Sequence, residues 1–118
     1  MITRKGALAA LLRNAVVSLD ISDPSAPCEA GRATLGPEHV PHWIAMSDDQ
    51  RRVAITGYGG MKHRVVIARF DSATGRLEVD RRFGAEGAAE PGFRMDRQRW
   101  SHGGTAPAIP HGAVFSRR

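Results

Sequence analysis

The 118-residue sequence predicts an all-β protein built from short antiparallel strands. β-branched and other apolar residues occur in runs of about four to eight, which is the length of strands rather than of helices. Many of the 13 glycines and seven prolines fall between these runs, where they end strands and form turns. Strand–turn–strand units also recur along the chain, which is typical of repeat architectures. The length fits one small domain.

Three strands are predicted in the first part of the chain, at 6–12, 16–21 and 28–35. The first is rich in Ala and Leu, which favour a helix by propensity. About seven residues are marginal for an isolated helix, and residues 13 and 14 can form a two-residue hairpin turn into the next strand. We therefore predict a strand at 6–12. The stretch 22–27, Ser-Asp-Pro-Ser-Ala-Pro, predicts the turn that follows the second strand.

Four further strands are predicted at 43–47, 53–58, 64–70 and 77–83. Polar or Gly-rich turns separate them. The last of the four alternates apolar and charged residues, as an outer, half-exposed strand requires. The stretch 84–105 is rich in Gly, Pro and Arg and predicts an insertion.

Two internal repeats relate these strands to one another. The pattern of 16–26, a strand followed by a small polar turn, recurs at 65–75, which is an offset of 49 residues (65 − 16 = 49). A Pro-His pair followed by four mostly apolar residues and Ser occurs at 41–47 and again at 110–116, which is an offset of 69 residues (110 − 41 = 69). The longer offset equals one period plus an insertion of about 20 residues.

A period of about 40–50 residues with four short antiparallel strands predicts β-propeller blades. We expect part of a blade at 6–35, a blade at 41–83, the insertion at 84–105 and the start of the next blade at 106–118. The innermost strand of that last blade would be 112–116. The chain would thus hold about two four-stranded blades plus the first strand of a third.

The segments 16–27, 41–58 and 65–77 carry a family resemblance. In them the chain resembles the YVTN-type and lactonase-type β-propellers, and it is related in pattern to the selenium-binding-protein propellers. In those families an innermost strand starts near a Pro-His or similar pair and leads through a tight turn into a second strand. Their rings hold about seven blades. The resemblance therefore implies either a C-terminal fragment of a longer propeller, which we prefer, or copies that assemble into a ring.

Histidines are the candidate site residues. His39 and His42 have a His-x-x-His spacing, and His111 occupies the position equivalent to His42 in the repeat. The resemblance implies that residues entering innermost strands face a central channel, where neutral imidazoles can hold copper or zinc. The selenium-binding-protein propellers are regarded as copper-dependent thiol oxidases that use such histidines. The interpretation that we prefer is structural: His42 and His111 cap strands and hydrogen-bond the neighbouring loop.

The resemblance leaves two classes of function open. A lactonase would need acidic, His and Arg residues to polarise an ester and position water, and the candidates are Glu38, His42, Arg94 and His111. The preferred interpretation is a propeller-type binding or interaction scaffold without catalytic activity of its own. The alternative is part of a channel-centred enzyme, either a His-liganded metal oxidase or a lactonase. The expected partners are further blades of a longer propeller or further copies of the chain.

Composition narrows the remaining function classes. The net charge of +5 comes from basic residues scattered along the chain without the aromatic pattern of an RNA-binding sheet, so we expect a solvated surface and no specific nucleic-acid partner. Cys28 is the only cysteine, which excludes an internal disulfide and a zinc site built from several cysteines. The apolar stretch 7–12 is too short to span a bilayer and lacks the cleavage site of a signal peptide. We expect no membrane partner, and the compartment stays open.

Overall fold

The computed structural model describes residues 7–12, 14–36, 39–59, 63–84, 86–96 and 99–117. Within these ranges the protein is all-β, which confirms the predicted class, and no helix there is long and apolar enough to cross a membrane. The strands form two antiparallel sheets. They are β1 Ala7–Leu12, β2 Ala15–Asp20, β3 Cys28–Thr34, β4 Val40–Met46, β5 Arg52–Gly59, β6 Arg64–Phe70, β7 Leu77–Val79 and β8 Phe93–Arg94.

The first sheet has the order β1-β2-β3. β1 confirms that the Ala- and Leu-rich run is a strand, because pairing with β2 outweighs the helix propensity of its residues. Two aspartates shape the turn between β2 and β3. Oδ1 of Asp20 accepts a hydrogen bond from the backbone N–H of Ser22 at 2.9 Å, and Oδ1 of Asp23 accepts one from that of Ser25 at 3.0 Å. Such side-chain-to-backbone bonds are what Ser and Asp contribute to turns.

The second sheet has the order β4-β5-β6-β7, and β8 pairs with β6 beside β7. The turn after β4 is closed by a hydrogen bond from the Gln50 N–H to the Ser47 carbonyl at 2.9 Å. The turn after β6 is closed by one from the Gly75 N–H to the Asp71 carbonyl at 2.7 Å. Gly75 has a φ of 80°, a backbone conformation that glycine adopts without a steric penalty.

The two sheets share one apolar core. From the first sheet come Val16 and Ala33, together with Leu35, which directly follows β3. The second sheet contributes Val53, Ile55, Val66, Ala68, Phe70 and Leu77. Burying one such large side chain contributes about 1.5–3 kcal/mol, whereas a two-stranded hairpin is only marginally stable alone. A hydrogen bond from Ser18 Oγ to the Gly75 carbonyl also joins the sheets. Packing between the sheets therefore stabilises the fold.

Four predicted elements differ from the structure. The strand predicted at 43–47 begins three residues earlier, at Val40, and ends at Met46. The strand predicted at 77–83 ends at Val79, because the carboxylate of Asp80 accepts a hydrogen bond from the Arg82 N–H at 3.0 Å and starts a turn. The insertion carries β8, a strand of two residues that is too short for a periodic signal. Residues 112–116 form no strand, and the Ala113 carbonyl accepts a hydrogen bond from the Trp43 side chain.

Candidate functional site

Two of the predicted histidines meet at the surface. Nε2 of His42 lies 3.2 Å from Nε2 of His111, and the ring centroids are 4.6 Å apart with the planes inclined by 54°. Both side chains are exposed. This distance fits a hydrogen bond in which one imidazole donates N–H and the other, neutral, accepts it. The repeat that related the two Pro-His pairs therefore identified residues that lie side by side.

A β-bulge positions His42. In the ladder between β4 and β5, Pro41 pairs with Gly57 and Trp43 pairs with Thr56, so His42 is the extra residue. The consecutive residues His42 and Trp43 are both exposed, whereas neighbours in a regular strand point to opposite faces. Bulges commonly re-aim a side chain in this way. Pro41 is the sequence signal for this feature, since Pro within a strand is confined to edges and bulges.

Side chains of β4 and β5 fix the segment that carries His111. Thr56 Oγ1 donates a hydrogen bond to the His111 carbonyl at 3.3 Å, and Trp43 Nε1 donates one to the Ala113 carbonyl at 3.0 Å. The Trp43 ring also packs on Gly112, where a Cβ would lie 3.5 Å from the nearest ring atom. These contacts place His111 beside His42. Sequence reasoning missed both donors, because the contacts join residues 55 and 70 positions apart.

His39, the third predicted ligand, lies in the interior. Its side chain is 0% exposed, and its ring packs over Gly57, where a Cβ would be 3.0 Å from the ring Cε1. Neither ring nitrogen has a hydrogen-bond partner within the described ranges. Burial, and after it the charge of Arg64, lowers the pKa of His39 to about 4, so the ring is neutral at pH 7. No three His, Cys, Asp or Glu residues are grouped in the described part of the chain, and His39 does not join the surface pair.

Arg64 lies beside His39 and is also buried, with 2% of its surface exposed. Its Nη1 donates a hydrogen bond to the Pro91 carbonyl at 2.8 Å and lies 3.4 Å from Oε2 of Glu90. Its Nη2 lies 3.5 Å from the Leu35 carbonyl. A buried charge is tolerated when it is paired and hydrogen-bonded. Arg64 therefore links β6 to the segment before β8 and to the end of the first sheet.

Of the other lactonase candidates, only Arg94 lies in the described part of the chain. Glu38 lies outside the described residues. Arg94 binds both carboxylate oxygens of Asp96, with Nε at 2.9 Å and Nη2 at 2.7 Å. This ion pair lowers the pKa of Asp96 and raises that of Arg94. The charge of Arg94 is thus neutralised by a neighbour two residues away.

The spacing of the surface pair is compatible with a shared metal ion. With zinc–nitrogen bonds of about 2.0–2.1 Å, two ligand nitrogens in a tetrahedral site lie about 3.3 Å apart. Adjacent ligands of a square-planar ion, a geometry typical of Cu²⁺, would lie about 2.9 Å apart with bonds of similar length. The observed separation of 3.2 Å lies between these two values and is also an ordinary hydrogen-bond distance, so it does not select one ion. His42 and His111 are the predicted ligands whose Nε2 atoms lie close enough to bind one metal ion together.

Comparisons of the chain with protein-family models, with curated proteins and with solved structures found no match. The function has to be inferred from the residues and geometry of the site.

Proposed function

We propose that the chain is a β-propeller-type binding scaffold that presents the His42–His111 pair as a binding point for a metal ion. The arrangement of β4 to β7 supports the scaffold, because these four antiparallel strands follow one another both in sequence and in the sheet, as the strands of a blade do. The preceding three-stranded sheet shares one apolar core with them, as neighbouring blades do.

The separation of 3.2 Å between the Nε2 atoms of two exposed imidazoles carries the proposal for the ligand. Neutral imidazole binds zinc or copper through the lone pair of a ring nitrogen. Both Nε2 atoms must be free of protons in the bound state, so the ion replaces any hydrogen that the two nitrogens share. Binding therefore competes with protons, and we expect it to weaken on acidification.

Calorimetric titration of the EDTA-treated chain with Zn²⁺ at pH 7 tests the proposal. We expect saturable binding, and a loss of more than about tenfold in affinity in His42→Ala and in His111→Ala, since each removes a ligand. His102→Ala is the matched control. His102 is also exposed but lies beside Trp100, with ring centroids 6.4 Å apart, and its removal should leave the affinity unchanged. Zinc affinity that survives the loss of both His42 and His111 would contradict the proposal.

The enzymatic alternatives have less support. A thiol oxidase needs, besides a redox-active ion, a place for its thiol substrate, and no further His, Cys, Asp or Glu is grouped with the pair in the described part of the chain. A lactonase of the kind considered would use Arg94 to stabilise developing charge, and this guanidinium is held by Asp96. We therefore propose binding without catalysis.

A further inference from the structure

We propose that an arginine-lined cleft at the start of β5 binds a diphosphate group, either free or attached to an organic molecule. The cleft has a volume of about 750 Å³ and lies between the turns that follow β4, β6 and β7. Sites for small molecules typically have volumes of about 300–1,000 Å³. Arg52 begins β5, whereas the backbone of His111 is bound by Thr56, about 13 Å further along the strand. The cleft is therefore separate from the histidine pair.

Arg52 and Arg69 face each other across the ladder between β5 and β6. Directly opposite residues of an antiparallel pair project from the same face of the sheet, with Cβ atoms about 4.5–5.5 Å apart. Both side chains are exposed and both line the cleft. Like charges in these positions repel each other and destabilise the strand pair. An anion bound between the two guanidinium groups removes this repulsion.

The contacts of these two arginines leave donors for a ligand. Cζ of Arg52 lies 5.7 Å from the centroid of the Phe115 ring, and this contact uses the face of the guanidinium, whereas its five N–H groups point outward in the plane. Nη2 of Arg69 binds Oε1 of Glu78 at 3.0 Å, and Oε2 of the same carboxylate lies 3.3 Å from Nη2 of Arg76. One carboxylate thus faces two guanidinium groups and balances only one of their charges.

Aspartates of the cleft shape its turns. They are Asp49, Asp71 and Asp80. In each, Oδ1 accepts a hydrogen bond from the backbone N–H two residues further along the chain, at 2.9–3.1 Å. The arginines that line the same cleft are Arg51, Arg52, Arg69 and Arg82. They outnumber the aspartates, so the lining carries a net positive charge, which attracts an anionic ligand.

The spread of the positive charge favours a diphosphate over a single phosphate. Arg69 and Arg82 also line a neighbouring cleft of about 560 Å³, to which Arg32 and Arg81 contribute. A guanidinium group binds phosphate through two parallel N–H···O bonds, which makes arginine well suited to phosphate recognition. A ligand with two linked phosphates can therefore use arginines of both clefts.

Calorimetric titration of the metal-free chain at pH 7 and low ionic strength tests the proposal, with inorganic pyrophosphate and adenosine diphosphate as separate probes. We expect one bound ligand per chain. Arg52→Gln and Arg69→Gln should each weaken binding by about tenfold or more, since each removes hydrogen bonds to a charged group. Arg94→Gln is the matched control, because it removes the same charge from an exposed side chain outside both clefts and should leave the affinity nearly unchanged. His42→Ala should bind both probes as the parent chain does.

The two probes distinguish the sources of the diphosphate group. Binding of pyrophosphate that is at least as tight as that of adenosine diphosphate would support the diphosphate group alone as the ligand. Tighter binding of adenosine diphosphate would support a site that also contacts the attached group.

Three results would overturn the proposal. They are absence of binding for both probes, affinity that is unchanged in both Arg52→Gln and Arg69→Gln, and an equal fall in Arg94→Gln, which would reflect net charge alone. None of them affects the zinc site, because the titration is done without metal. If Arg69→Gln, which loses the ion pair with Glu78, fails to fold as judged by circular dichroism, Arg52→Gln decides.

Discussion

His39 and His42 lie three residues apart and have opposite environments. His39 is buried over Gly57 with its pKa lowered to about 4, whereas His42 is exposed with its Nε2 3.2 Å from that of His111. Residues three apart are neighbours on a helix, but here His39 precedes β4 and His42 is the extra residue of a β-bulge, which re-aims its side chain. The same His-x-x-His spacing that would assemble a metal site on a helix therefore separates its two members here.

The two regions differ in what a substitution should change. The buried region of His39 and Arg64 holds both sheets and the segment before β8 together, so its residues should govern the free energy of unfolding. The exposed pair of His42 and His111 contributes little apolar burial, so its residues should govern binding. The following experiments test whether the buried region governs stability and the exposed pair governs binding.

Arg64→Ala should have the largest effect. It removes a side chain that is 2% exposed and leaves the Pro91 carbonyl without the hydrogen bond from Nη1. The cavity and the unsatisfied buried group together should lower the free energy of unfolding by about 3 kcal/mol or more, measured by urea denaturation at pH 7. Arg94→Ala is the matched control, because Arg94 also forms an ion pair but is largely exposed. Its removal should leave the free energy of unfolding nearly unchanged, because exposed ion pairs contribute little to stability. Equal losses in the two variants would mean that Arg64 does not anchor the interior.

Mild acid should have the next largest effect, through His39. The pKa of His39 is about 4 in the folded chain, whereas its ordinary value, which applies to the unfolded chain, is 6.5. Between these two pH values the unfolded chain therefore binds more protons than the folded chain. Stability is therefore complete above pH 6.5 and falls as the pH drops towards 4. Between pH 7 and pH 4.5 the free energy of unfolding should fall by about 2–3 kcal/mol. Urea denaturation across this range measures the slope.

His39→Phe identifies the group responsible for this slope. Phenylalanine fills a similar volume over Gly57 and has no titrating nitrogen, so the slope between pH 7 and 4.5 should largely disappear. His42→Ala should retain it. Carboxylates with a lowered pKa, such as Asp49 and Asp80, lose their stabilising contribution only as the pH falls below their ordinary pKa of 3.8. An unchanged slope in His39→Phe would show that other groups take up the protons.

The strands were predictable because apolar runs and turn residues are local signals. The meeting of His42 with His111 could be anticipated from the repeated Pro-His pair, whereas metal binding stays a prediction. The rest depends on contacts that no local pattern encodes. Trp43 reaches Ala113 across 70 positions, and the early end of β7 depends on a turn closed by Asp80. Burial of His39 depends likewise on how the two sheets pack.

Trp43→Phe should have the smallest effect and addresses how the exposed pair is positioned. Phenylalanine keeps an aromatic ring on Gly112 and loses the hydrogen bond from Nε1 to the Ala113 carbonyl. One such bond contributes about 0.5–1.5 kcal/mol, so zinc affinity measured by calorimetry should fall by about 3- to 10-fold.

Trp100→Phe is the matched control. Trp100 Nε1 donates a similar hydrogen bond, 2.8 Å long, to the Ala106 carbonyl, and this bond does not involve the histidine pair. A fall in affinity confined to Trp43→Phe, with equal zinc-free stability in the two variants, would assign Trp43 a positioning role. Equal affinities would mean that the bond from Thr56 Oγ1 to the His111 carbonyl is sufficient to hold the segment in place.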